Sequence, residues 1–435
     1  MGLFSFSRPC DGIPIKVFPR LAIQSAALLL AGVSIPAVAF EVEALPAQDT
    51  GAVAICDVQS AGAIALDPND FPVVKLAAEL FAADVQRVTG QRPAITDQAG
   101  SPSIIVGTLG HSALVDGLVK RGKLKGADQI KGRWEATLME IVENPFPGVK
   151  RALVITGSDR RGTAYGLMQL SEKIGVSPWY WWADVPVQSQ NSIAISVPAP
   201  EVSAPAVKYR GIFINDEDWG LFPWAKNTFD PPFKNIGPKT YERVFELMLR
   251  LRLNYIWPAM HGCSIEFGSV PENSALADQY GIVTGSSHCE PMLSNNIHWD
   301  QKSQGPWNYS SNRDTIYSYW ETNAKARRAE EAIWNIGIRG IHDAGMQTPP
   351  NDMPGKLSLL NEIFKDQTSL LDQYVTKQWG PVAQCFVPYK EVLPIYDAGL
   401  QVPGEATLVW VDDNFGYIRR LGSAREHDRP GGAGI

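Results

Sequence analysis

Cysteine is scarce in this sequence: five in 435 residues, with no CxxC pair among them. That excludes a disulfide framework and leaves no structural zinc pattern. Positive charge is also short, with 39 Lys and Arg against 46 Asp and Glu and a net charge of -7. The basic residues never gather beyond pairs such as Arg327-Arg328, so nucleic acid is excluded as a partner. After the first forty residues no apolar run approaches the roughly 20 that a membrane span needs. Nucleotide motifs are missing too. The turn from Gly157 to Gly162 has neither GxGxxG nor GxxxxGK[ST] spacing and reads as a tight turn rather than a phosphate cradle. No cofactor is implied.

What is present is a 45% hydrophobic chain long enough for a substantial core and two or more domains. Thirteen Trp and thirteen Tyr suit ordinary cores and the apolar faces of sugar rings alike. At the N-terminus Arg8, Lys16 and Arg20 precede an apolar stretch over 21–33, and Ala37-Val38-Ala39 offers a small-x-small cleavage site. Residues 1–39 are therefore expected to be a signal peptide and the protein to be secreted, with an uncleaved anchor as the alternative. Cleavage removes Cys10 and leaves Cys56, Cys263, Cys289 and Cys385, among which a Cys263–Cys289 bridge stays open. Asn308-Tyr309-Ser310 is an N-glycosylation sequon.

Residues 41–200 alternate helix and strand and predict a small α/β domain, with helices over 73–88 and 163–174 and strands over 103–107, 135–142 and 152–156. Trp179-Tyr180-Trp181-Trp182 is either a sugar platform or, preferred, the packing seam with the next domain. Residues 196–207, rich in Pro and Ala, read as a linker. From 208 to 435 the pattern becomes strand, polar loop, helix, repeated. The spacing predicts strands over 211–214, 255–260, 282–286, 337–341, 385–389 and 407–411, with helices over 238–252, 313–335 and 356–375. The first strand reads as buried on both faces, from the run Ile212-Phe213-Ile214. A parallel (β/α)8 barrel of TIM type is the expected fold class, but only six strands and the start of a glycine-rich seventh precede Ile435. An incomplete barrel of that kind is expected to be unstable or inactive alone.

Active sites of such barrels sit at the C-terminal strand ends. Those ends carry Asn215, Asp216, Glu217, Asp218, His261, His288, Glu290, His342, Asp343, Glu391, Asp412, Asp413 and Asn414. Carboxylates with interspersed histidines fit a glycosidase using two carboxyl groups, or a hydrolase using a metal-bound hydroxide. The first strand lacks the His-x-His of barrel metallohydrolases, which favours the glycosidase.

The stretches Arg210-Gly-Ile-Phe-Ile-Asn-Asp-Glu-Asp-Trp-Gly220, Trp257-Pro-Ala-Met-His261, Ser287-His-Cys-Glu-Pro-Met292, Gly337-Ile-Arg-Gly-Ile-His-Asp343 and Trp410-Val-Asp-Asp-Asn-Phe-Gly-Tyr-Ile-Arg-Arg420 resemble glycoside hydrolase family 115. Gly162-Thr-Ala-Tyr-Gly166 and Gly175-Val-Ser-Pro-Trp-Tyr-Trp-Trp182 are similar to its accessory α/β domain. The resemblance implies a metal-independent, inverting xylan α-1,2-glucuronidase acting on glucuronoxylan. It makes Asp343 and Glu391 the expected catalytic pair, either of them acid or base. Asn215, Asp216, Asp218, His288, Glu290, Arg339, Asp412 and Asn414 are then expected at the substrate, with Arg339 either gripping the uronate or forming a structural ion pair. The family pattern continues past Gly-Gly-Ala-Gly434 into segments this sequence does not hold.

Overall fold

The computed structural model describes residues 41–43, 51–97, 102–216, 218–346, 351–413, 415–418 and 420–435. The expected signal peptide, Glu217 and Asn414 lie outside the described residues. Ala39–Ile435 forms one compact unit.

The first part begins with β1 (Glu41–Glu43), β2 (Val53–Cys56) and β3 (Ala63–Leu66), followed by α1 (Pro72–Thr89). Next come β4 (Ile95–Thr96), β5 (Pro102–Thr108), α2 (Ala113–Lys120), β6 (Thr137–Glu143), β7 (Arg151–Gly157) and α3 (Arg160–Lys173). β8 (Ile193–Ser196) and β9 (Glu201–Ser203) complete it. Six of these strands make a mixed sheet in the order β4-β3-β5-β7-β6-β9, and β1-β8-β2 make a small antiparallel sheet. Ile104 and Val106 pack on one face of the large sheet with α1 and α3, while Ile105 packs on the other with Val115 and Leu118 of α2. A strand covered on both faces must be apolar at every position, which is why 103–107 shows no alternation.

The linker reading needs correction: Glu201–Ser203 is an edge strand, paired antiparallel to β6. The glycine turn is closed by packing. A Cβ at Gly162 would stand 2.3 Å from the Ala136 carbonyl oxygen, and one at Gly157 would stand 2.0 Å from the Thr163 nitrogen. Asp159 caps α3 by accepting from the Arg161 and Gly162 N–H groups, so its own side chain fills the place a phosphate would take.

The second part contains β10 (Gly211–Phe213), α4 (Leu221–Trp224), α5 (Pro238–Arg250), β11 (Tyr255–Trp257), α6 (Pro271–Gln279) and β12 (Val283–Thr284). It continues through α7 (Gln301–Gln304), α8 (Arg313–Ala326), β13 (Ile333–Asn335), α9 (Met353–Tyr374) and β14 (Ala383–Phe386). α10 (Val392–Asp397), β15 (Thr407–Val409), α11 (Ala424–His427) and β16 (Ala433–Gly434) end it. β10-β11-β12 and β13-β14-β15-β16 are parallel in chain order, and a parallel bridge between Thr284 and Ala332 joins the two groups.

Three expectations change here. β10 is not buried: Ile212 and Phe213 are each 37% exposed, because β10 pairs with β11 alone. The helix expected over 313–335 stops at Ala326, and Ile333–Asn335, buried at every position, takes the strand that 337–341 was expected to supply. Gly337 cannot extend that strand. Its φ is 110°, and its N–H and C=O are bonded by the Gln367 amide at 2.7 and 2.9 Å. Cys263 and Cys289 form no bridge; both are free thiols.

Several aromatics belong to the core. Trp299, Trp307, Tyr309, Trp320, Trp334 and Trp410 are buried in one cluster with α8 and α9. Trp181 and Trp182 form the packing seam: Trp182 Nε1 donates to the Arg243 carbonyl of α5 at 3.1 Å, and Trp181 sits edge-on to Trp182, Trp224 and Phe229. The same core cluster runs without a break from Val53 to Ile282.

Candidate active site

The strands β10 to β15 each end in a polar loop, and these loops converge on a cavity of about 910 Å³. Asn215 follows β10, His261 follows β11, His288 follows β12, Asp343 follows β13, Tyr389 and Lys390 follow β14, and Asp412 follows β15; all of them line the cavity.

Asp343 is the hub. Its Oδ1 accepts from Arg339 Nη1 at 2.5 Å and lies 3.0 Å from His288 Nε2, while its Oδ2 accepts from Lys390 Nζ at 2.8 Å. Burial pushes its pKa up, but hydrogen bonds from Lys390, His288 and Arg339 together outweigh burial and hold the carboxyl well below the usual range. Arg339 also grips Glu391 bidentately, Nε to Oε1 at 3.0 Å and Nη2 to Oε2 at 2.9 Å. Glu391 accepts a further bond from the Met346 N–H at 3.0 Å. Burial opposes ionisation there too, yet Arg339 leaves Glu391 lowered. His288 is shifted down, first by burial and then by the nearby Arg339 and Lys390 charges, against the pull of Asp343. Its ring rests on Tyr389, centroids 4.3 Å apart.

Residues 202–435 match the sequence profile of Glycosyl hydrolase family 115. A solved structure described as a novel family GH115 4-O-methyl-α-glucuronidase, BtGH115A, with specificity for decorated arabinogalactans, is 41% identical, with a TM-score of 0.79 over 87% of this chain and 48% of its own. The chain belongs to glycosyl hydrolase family 115. It spans about half the length of that relative. Flavobacterium johnsoniae chitobiase (11% identity, TM-score 0.51, 87% of this chain and 55% of its own) shares the fold. So does the GH20 β-N-acetylhexosaminidase of Streptomyces coelicolor A3(2) (10%, 0.51, 89% and 70%). No curated protein matches.

In this family 115 chain the expected site residues separate into groups. Asn215, His288, Asp343 and Asp412 face the cavity, while Arg339 lies against Asp343 and Glu391 against Arg339, neither of them lining it. Asp216 is turned inward. Its carboxylate accepts from the Asp218 N–H in the loop and from the Phe222 N–H in the first turn of α4, which makes it a brace for the loop rather than a cavity wall. Asp218 is exposed at φ 73° and does not line the cavity. Glu290 faces a separate small cleft with Glu266 and Arg327. It is buried with Ser287 as its partner at 3.4 Å, and burial pushes its pKa up to about 8. Tyr389 and Lys390 were not among the expected site residues. The signal for them was their place at the end of the β14 segment, immediately before Glu391.

Proposed function

We propose that the cavity is the active site of a secreted α-glucuronidase that hydrolyses α-1,2-linked (4-O-methyl)-glucuronic acid from glucuronoxylan or a similarly decorated polysaccharide. The observation that carries this reading is the gathering of Lys390, Arg339 and His288 around one cavity-facing carboxylate in a chain of net charge -7. Lys390 is the lysine on the cavity wall, and a sugar that brings its own carboxylate can pair with it there. On this reading β10 to β16 are seven strands of a (β/α)8 barrel with the site at its usual end. Residues 41–200 form an accessory α/β domain, residues 208–435 carry the catalysis, and 1–39 direct export.

Asp343 and Glu391 form the inverting pair. Asp343 faces the cavity and is held anionic by Lys390, His288 and Arg339, the state that suits it to take a proton from the attacking water. Glu391, gripped by the two-pronged Arg339 behind that wall, is the second carboxyl of the pair and delivers a proton to the leaving oxygen once sugar binding draws Arg339 off it. Asn215 and Asp412 bind sugar hydroxyls.

The test incubates the purified chain with acidic oligosaccharides from glucuronoxylan and with decorated arabinogalactan, and follows the anomer of the product by NMR. 4-O-Methylglucuronic acid released as the β anomer supports the reading and overturns the expectation that the chain is inactive alone. Lys390→Ala is expected to bind glucuronate roughly tenfold more weakly in calorimetry, the size of one lost charge-assisted bond. Wild-type chain that binds glucuronate no better than glucose overturns the reading.

A further inference from the structure

Three side chains beside the cavity form a continuous hydrogen-bonded file whose members come from the loops after β10, β11 and β13. Asn215 Oδ1 lies 2.7 Å from His261 Nε2, and His261 Nδ1 lies 3.1 Å from His342 Nε2. The two imidazoles meet at 81° with centroids 4.9 Å apart, so the contact is made ring edge to ring.

The chemistry of each atom fixes the direction of the file. A carboxamide oxygen only accepts, so His261 Nε2 carries the proton. In that tautomer Nδ1 is an acceptor, and His342 Nε2 donates to it. The far end is braced. His342 stands at φ 50°, a left-handed conformation that a bulky side chain seldom adopts. Its N–H donates to Asn296 Oδ1 at 2.8 Å, and Asn296 Nδ2 donates to the Gly340 carbonyl at 3.0 Å. The buried Asn296 therefore holds the loop that carries both His342 and Asp343.

We propose that His261 and His342 are positioning residues: they lock the Asn215 carboxamide so that its two N–H donors face the cavity and receive an oxygen acceptor of the bound acidic sugar. The proposal rests on the acidic-sugar reading above and adds residues that act through Asn215. With the Asn215 amide oriented by the bond from His261 to Oδ1, its Nδ2 donors are presented to the cavity, and the wall favours a ligand oxygen over a ligand donor at that point. Without the file the amide would be free to turn over and offer either.

The experiment uses the full chain with 15N-labelled histidine. Long-range proton–nitrogen correlation is expected to show both His261 and His342 protonated on Nε2. Calorimetry with glucuronate then compares three variants. Asn215→Asp keeps an acceptor for His261 but loses the donors, and is expected to bind at least tenfold more weakly with the His261 tautomer unchanged. His342→Gly tolerates the left-handed backbone and removes the ring; binding is expected to fall about tenfold. His342→Gln, whose amide still donates to His261, is expected to restore binding to within about threefold of wild type. A His261 protonated on Nδ1, or a His342→Gly chain that binds as wild type while Asn215→Asp does not, overturns the proposal. If the wild type binds no glucuronate, the acidic-sugar reading falls while the tautomers still decide whether the file exists as drawn.

Discussion

Two carboxylates on neighbouring loops show how environment alone decides chemistry. Asp343 is surrounded by Lys390, His288 and Arg339 and is held anionic. Glu290 is buried with hydroxyl and backbone partners from Ser287 and the like charge of Glu266 nearby, and burial lifts its pKa from 4.5 to about 8. The linkage sign is set by that direction. A carboxyl whose folded pKa is raised favours the folded state fully below its unfolded value, and the advantage is lost as pH rises through the folded value. Stability carried by Glu290 should therefore decline between about 4.5 and about 8. Glu290→Gln, which keeps the shape and stays neutral, is expected to raise the melting temperature at pH 8 and to leave it unchanged near pH 4. A variant whose melting temperature tracks the wild type across that range would show that Glu290 is ionised in the fold. From the sequence, Glu290 and Asp343 are equivalent acids after a strand. What separates them is which cations reach across from other loops, and Lys390 lies 47 residues from Asp343 along the chain.

At the scale of elements, strand ends are legible because an apolar run closing in polar residues marks where a buried strand emerges. That rule locates Asn215, His261, His288, Asp343 and Asp412, all of which line one cavity. It fails at β13, since Ile333-Trp-Asn335 and Gly337-Ile-Arg-Gly-Ile341 are both short apolar runs and periodicity does not choose between them. The choice is made by a tertiary contact, the Gln367 amide of α9 that bonds both backbone groups of Gly337. Gln367 is fully buried, so Gln367→Leu leaves a buried N–H and a buried C=O without partners. Each orphaned group costs about 1–3 kcal/mol, and urea unfolding is expected to show a loss in that range or above it. The loop that Gly337 begins also carries Arg339, so glucuronate affinity should fall with stability. A variant that loses neither would mean that the loop is held by its ion pairs alone.

The two parts of the described fold are joined by a buried charge network. Glu331, just before β13, accepts from Arg160 Nη2 at 2.7 Å and from Arg161 Nη1 and Nη2 at 2.7 and 2.9 Å, both arginines lying on α3. Arg161 continues to Glu135 at 2.6 Å, and Glu135 meets Arg210 at 2.6 Å and Asn254 at 2.7 Å, which precede β10 and β11. One set of contacts thus ties the mixed sheet to three of the strands that carry the cavity. Burial opposes the charge on Glu331, but Arg161 and Arg160 outweigh it and its pKa is lowered from 4.5. An acid lowered in this way stabilises the fold above its unfolded pKa, and the contribution disappears as pH falls through the folded one. Glu331→Gln removes a partner from guanidinium groups only 5–6% exposed, a change that typically costs about 3–5 kcal/mol. Urea unfolding at pH 7 is expected to show that loss, and the gap between variant and wild type should close on acidification below 4.5 as Glu331 itself becomes protonated. A loss under about 1 kcal/mol at pH 7, or a gap that does not change with pH, would mean that the apolar seam of Trp181, Trp182 and α5 joins the two sheets unaided.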